Sequence, residues 1–225
     1  MANAHAPIPD IPTRDAYWEA LQPHLPAFSP DDQRVAIAIY RELAKGHAID
    51  AVQLGRALGV SLAETRAFLQ HESIKTITYA DGEGRLLGFG GLAVVPMHHR
   101  FRVDGRELST WRAWDSLFIP EILGRSAHVT SADPESGGTV RLTVTPERIE
   151  RVEPNDAVIS FIWPDARVFK SSAANVMAGF CHFIFFFESR SSGDRWASKH
   201  PGTFLFSLED AFALAKRLNG NKFGS

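Results

Sequence analysis

The chain has 225 residues, 44% hydrophobic and 22% charged, with a formal net charge of −2. That supplies one large core or two small ones, and the near-neutral charge gives no overall pull toward a polyphosphate or an anionic membrane. No apolar run approaches the roughly 20 residues a bilayer crossing needs, and the opening "MANAHAPIPDIPTRD" has no basic then apolar signal. The expectation is a cytoplasmic protein with neither nucleic acid nor membrane as partner and with no cofactor.

Pro7, Pro9, Pro12, Pro23, Pro26 and Pro30 crowd the start of the chain. Residues 1–29 are therefore expected to form an irregular arm around one short helix near Arg14 to Leu21. Ser29 then caps a helix over about 30–45: Pro30 takes its first position, Asp31 and Asp32 its first turn, and Val35, Ile39 and Leu43 its apolar stripe. Asp50 to Gly59, and Ser61 with Glu64 in capping-box spacing, predict two further short helices. "KTITYA", the turn "DGEG" and "RLLGFGGLAVV" read as a two-stranded wing, so residues 30–96 resemble a winged-helix domain. The second of the paired helices offers Arg66 and Gln70 against Glu64 and Glu72, a poor set for reading bases, which favours a packing role.

Residues 97–225 read as a strand-rich second domain. "HRFRV" and "RELST" flank the hairpin signal Asp104-Gly105. "WRAWDSLFIPEILG" predicts a helix from Trp111 to Gly124, and "SAHVTS", "GTVRLTVT" and "DAVISFIW" predict strands. "CHFIFFFES" predicts a buried strand opened by Cys181, the chain's one cysteine, with His182 on its opposite face. "DRWASKH" and a segment capped by Ser207 and Asp210 return to helix, Lys199 and His200 serving to end the first of them. His98 and His99 lack a cysteine or acidic partner at metal spacing and read as a solvated pair.

In this order, "YRELAKG" (40–46), "TWRAWDSLFIPEILGRSAHVTS" (110–131), "VRLTVTPERIERVEP" (140–154), "GFCHFIFFF" (179–187) and "WASKHPG" (196–202) resemble the organomercurial (alkylmercury) lyase family. The resemblance runs from about residue 33 to 218. It implies an α+β fold, an N-terminal winged-helix-like region packed on a C-terminal mixed β-sheet domain with flanking helices, and a site in the latter. The family's activity is protonolysis of a carbon–mercury bond by two cysteines and an aspartate: thiolates suit a soft two-coordinate metal, and a carboxyl carries the proton. On this match Asp115 takes the aspartate's place and Cys181 that of the second cysteine, while Arg112 stands where the first belongs. His182 occupies a neighbouring position that can also be cysteine in the family.

A guanidinium cannot ligate a cation. Arg112 and Asp115, three residues apart, are expected to pair, which would keep Asp115 ionised and poor as an acid. A nearby Arg112 is also expected to lower the Cys181 pKa enough to give thiolate at neutral pH. Cys181, Asp115 and Arg112 are thus the candidate catalytic residues; Arg112, Trp111, Trp114 and His182 are candidate substrate contacts, and Cys181 is a metal ligand only toward a soft metal. Composition alone reads Cys181 as an inert buried thiol, Arg112 with Asp115 as a structural ion pair, and both tryptophans as core or pocket wall. The favoured expectation is a diverged enzyme acting on a small anionic organic molecule, with carbon–mercury cleavage weak or lost. The alternatives are an alkylmercury lyase that borrows an external thiol and a non-catalytic ligand or metal sensor.

Overall fold

The computed structural model describes residues 12–169 and 179–224, and its fold is α+β. Within the arm, helix α1 (Arg14–Leu21) starts where the Thr13 hydroxyl accepts from the Ala16 amide at 3.2 Å and buries Tyr17, Trp18 and Leu21. Helix α2 (Pro30–Leu43) carries a complete capping box between Ser29 and Asp32, and Val35, Ile39 and Leu43 are fully buried on its inner stripe. Asp50 with Gln53 caps α3 (Ala51–Leu58), Ser61 with Glu64 caps α4 (Leu62–Leu69), and a single turn, α5 (Glu72–Lys75), follows. The wing is the hairpin β1 (Thr78–Ala80) and β2 (Leu86–Phe89), joined to the helices by an Ile49–Leu86 bridge.

This hairpin opens a larger sheet. β2 pairs with β3 (Leu92–Ala93), β3 with β5 (Arg106–Thr110), and β4 (His99–Val103) lies between β5 and β6 (Ala127–Ala132). Strands β7 (Thr139–Val144) and β8 (Ile149–Glu153) complete eight in the order β1-β2-β3-β5-β4-β6-β7-β8, so the ladder runs unbroken from the wing across residues 96–97. The β4–β5 hairpin turns at Asp104 and Gly105, with φ of 47° and 73°, as the Asp-Gly pair requires. A second sheet sets β9 (Val158–Ile162) between β10 (Phe186–Phe187) and β11 (Thr203–Ser207). The strand pairings in both sheets are antiparallel rather than mixed.

Three local expectations change. The helix after β5 is α6 (Asp115–Leu123), starting at Asp115 and not at Trp111. The Trp111 amide is taken by Gly91 O at 2.9 Å and the Arg112 amide by the Asp115 carboxylate at 2.8 Å, which folds residues 111–114 into a turn. "CHFIFFFES" is a strand only at Phe186–Phe187; Cys181–Phe183 is a single 3-10 turn. Here the Ser160 hydroxyl donates to Phe183 O at 2.7 Å and accepts from the Phe185 amide at 3.0 Å, replacing a regular ladder. β8 and β11 are strands that the pattern did not predict.

Short α7 (Ala166–Phe169), α8 (Arg190–Ala197) and the C-terminal α9 (Leu208–Phe223) complete the described helices. One continuous apolar core runs from α1 and α2 through both sheets to α9. The α6–α9 contact is specified by polar bonds as well as packing: Trp114 Nε1 donates to Ala211 O at 2.9 Å, and Asn219 Nδ2 to Phe118 O at 3.0 Å. Arg217 of α9 pairs with Asp15 and lies 5.1 Å over the Trp18 ring, which fastens the arm helix to the rest.

Candidate active site

The two stretches that carry the candidate residues touch through main chain. The Ala113 amide donates to Ile184 O at 3.1 Å, and the Ile184 amide closes the Cys181 turn on Cys181 O at 3.4 Å. Arg112 is thereby set beside the turn that bears Cys181, and its guanidinium carbon lies 6.0 Å over the ring of Phe180.

Arg112 and Asp115 form the expected ion pair. Nη2 stands 2.6 Å and Nε 2.9 Å from Oδ1, while the Arg112 amide donates to Oδ2 at 2.8 Å. The Asp115 side chain is fully buried and that of Arg112 is 18% exposed. Gly91, between β2 and β3, makes the close approach possible: its φ is +104°, and a Cβ there would lie 2.7 Å from Asp115 Oδ2. The neighbouring Gly90 carbonyl accepts from the Tyr40 hydroxyl at 2.8 Å.

Burial decides the acid–base character. It pushes the Asp115 carboxyl above the usual carboxylate range, and the charge and hydrogen bonds of Arg112 oppose this without cancelling it. Asp115 is therefore better able to hold a proton than the pairing alone suggested. Burial also raises the Cys181 thiol, Arg112 lowers it by less, and Asp115 pushes it further up. The expected thiolate at neutral pH is replaced by a protonated thiol. For Arg112 burial works against the charge, but the Asp115 carboxylate and its hydrogen bonds outweigh it and hold the guanidinium ionised.

The remaining candidates are placed as follows. Trp114 is 1% exposed and packs edge-on against Phe118 and Phe161 as part of the core. Trp111 is half-buried, its Nε1 facing Gly88 without a hydrogen-bond partner among the described residues. His182 is exposed on the far side of the 3-10 turn. His98 is exposed but His99 is not: it is fully buried with Nδ1 2.8 Å from Ser131 Oγ, which corrects the solvated-pair reading. Lys199 pairs with Glu135 at 2.7 Å, and His200 stacks on Trp196 at 4.0 Å.

Two groups escaped the sequence reading. Lys222 of α9 is 8% exposed, its ammonium 5.7 Å from the Phe28 ring and 6.0 Å from Phe118, and it makes no hydrogen bond or ion pair among the described residues. Burial first, then Arg112, lowers its pKa to about 8, with Asp115 pulling the other way. Tyr17 of α1 is fully buried, and burial raises its phenol while the charge of Arg112 lowers it by less. Neither has a motif or spacing signal, because they lie near opposite ends of the chain. Among the described residues no group of three His, Cys, Asp or Glu side chains converges as a metal site, and no helix is long and apolar enough to cross a membrane.

The sequence profile of the alkylmercury lyase (MerB) family matches residues 92–220. An alkylmercury lyase of Staphylococcus epidermidis is 36% identical over 180 residues, covering 80% of this chain and 79% of that protein. One of Streptomyces lividans is 37% identical over 176 residues, covering 78% and 77%. The fold matches the crystal structure of the mercury-bound form of MerB2 with a TM-score of 0.71 at 18% identity, over 92% of this chain and 98% of the other. At these identities and coverages the chain belongs to the alkylmercury lyase family.

Proposed function

We propose that this family member acts on a small anionic organic molecule rather than on an alkylmercury cation. In this reading Arg112 anchors the acid group, Cys181 is the nucleophile or soft ligand, and Asp115 carries a proton. One observation supports it: Arg112, at the position to which the resemblance assigns a thiolate, has its guanidinium held 2.6 Å from the Asp115 carboxylate. The exchange turns a soft anionic ligand into a permanent cation and leaves one sulfur where a two-coordinate metal needs two.

The charge balance supports the same reading. Arg112 and Lys222 supply two buried cations against the one carboxylate of Asp115, with Cys181 a neutral thiol. Nε and Nη2 of Arg112 are engaged by Asp115, while Nη1 makes no hydrogen bond among the described residues and the side chain keeps 18% exposure. A guanidinium with a free donor edge binds a carboxylate.

The test is phenylmercury with excess thiol, read as benzene release. The expected result is no release above the thiol-only control. Prompt release that disappears in Cys181→Ser would refute the proposal.

A second reading is a lyase that borrows its missing thiol from solution; the main-chain bond between Ala113 and Ile184, which ties the segment before Asp115 to the turn that bears Cys181, favours it. Arg112→Cys separates the two: a large gain of cleavage supports the borrowed thiol, and no gain supports a repurposed pocket.

A further inference from the structure

We propose that the solvent face of the larger sheet carries a binding site for the phosphate group of a small molecule, built by Arg100 and Arg102 of β4, His128 and Thr130 of β6 and Arg141 of β7. The site is separate from Cys181 and Asp115. β4 turns His99, Phe101 and Val103 into the core and Arg100 and Arg102 away from it.

β4, β6 and β7 each bury every second side chain, so the intervening ones share one outer face. In register, Arg100 lies opposite Thr130 and Thr130 opposite Arg141, while Arg102 lies opposite His128. At about 4.8 Å between strands and about 7 Å between alternate residues of one strand, the three arginines are rooted within about 12 Å of one another around Thr130. Arg100, Arg102, His128 and Thr130, with Glu107 of β5, line a depression of about 210 Å³. That is smaller than the roughly 300–1,000 Å³ of a pocket that engulfs a drug-sized ligand, so it takes a charged head group and leaves the remainder in solvent.

The face is under-neutralised. Among the residues lining the depression Glu107 alone is acidic. It lies 3.5 Å from Arg100 Nη2 and 4.0 Å from Arg102 Nε, beyond the reach of about 2.7–2.9 Å that a charge-assisted hydrogen bond has. The Arg141 side chain makes no ion pair or hydrogen bond among the described residues, because its cross-strand neighbour Glu153 is held by Arg151. Three guanidiniums therefore share one loosely held carboxylate, an arrangement that neighbouring like charges on a sheet disfavour. The surplus of two positive charges equals the charge of a phosphomonoester dianion. Its several oxygens accept from guanidiniums that arrive from different strands, whereas a carboxylate brings half the charge and two oxygens.

The probes are inorganic phosphate, glycerol 3-phosphate and a short single-stranded oligonucleotide, titrated calorimetrically into the full chain at low ionic strength and into Arg100→Gln, Arg141→Gln, Glu107→Gln and Arg112→Met. The proposal expects both phosphates to bind the parent, about three- to tenfold more weakly in Arg100→Gln and in Arg141→Gln. Glu107→Gln should bind them more tightly than the parent, since the competing carboxylate is gone. These three positions are exposed, and their variants should melt within a degree or two of the parent. Absence of phosphate binding by the parent would overturn the proposal. So would phosphate binding that stays within twofold in Arg100→Gln and Arg141→Gln but is lost in Arg112→Met, which would put the anion at the other site. An oligonucleotide that binds far more tightly than either phosphate, and falls off steeply with salt, would overturn the small-molecule assignment.

Discussion

Replacing Lys222 by methionine should stabilise the protein. The ammonium is buried against Phe28 and Phe118 without a carboxylate partner among the described residues, and its pKa falls from 10.5 to about 8. At about 1.4 kcal/mol for each tenfold change in proton affinity, carrying that charge in the folded state costs about 3 kcal/mol. The two ring contacts return roughly 1 kcal/mol, and methionine keeps most of the stem's packing. The net gain at pH 7 is therefore about 2 kcal/mol, or about 4–8 °C for a chain of this size. The sign with pH is fixed. Above about pH 8 the folded chain releases a proton that the unfolded chain keeps until 10.5, so parent stability rises over that window and the advantage of methionine shrinks. Urea unfolding of both proteins at pH 7 and pH 10 measures it. A methionine variant that is less stable at pH 7, or equally advantaged at both pH values, would refute the reasoning.

Arg112→Met strands Asp115 as a buried unpaired carboxylate and should cost about 3–5 kcal/mol at pH 7. Because burial already holds that carboxyl above its ordinary range, the folded state takes up a proton first and part of the loss should return toward pH 5 in urea unfolding. Gly91→Ala forces a Cβ to 2.7 Å from Asp115 Oδ2 at a φ of +104°, and should lose about 2–4 kcal/mol by thermal melt. Gly82→Ala, whose Cβ meets nothing within 4 Å, is the control and should melt within a degree or two of the parent. Burial and His98 push His99 down to about 3 from 6.5, so the unfolded chain binds the proton first as pH falls. Parent stability should drop by about 2 kcal/mol between pH 6.5 and 5 from this residue alone, and His99→Phe should flatten that part of the pH profile.

Legibility followed distance along the chain. The Ser29–Asp32 box and the Asp104-Gly105 turn depend on neighbours a few residues apart and are visible in sequence. So was the pairing of Arg112 with Asp115. The start of α6 was misplaced because the Asp115 carboxylate and Gly91 O captured the amides that a helix from Trp111 would have used, and Gly91 lies in the distant turn between β2 and β3. The aromatic run after Cys181 signalled burial correctly but not backbone shape, which the Ser160 hydroxyl sets from β9. His99 looked solvated because its partner, Ser131, sits across the sheet in register with it. The resemblance led to the expectation of a cation near the thiol and the carboxyl, but not to how deeply both are buried, and burial raises both pKa values by more than Arg112 lowers them. Tyr17 and Lys222 carried no signal, since their surroundings are set by contacts between the arm helix, the last helix and segments far away in sequence.

The bond from the Ala113 amide to Ile184 O uses atoms that every residue type but proline shares. The spacing between positions 112 and 181 is thus independent of which side chains those positions bear. A single codon change at 112 trades a sulfur for a guanidinium while leaving the bracket around it in place. On the proposed reading, a site built on one thiol and one guanidinium and a site built on two thiols would differ at this one position within the same frame.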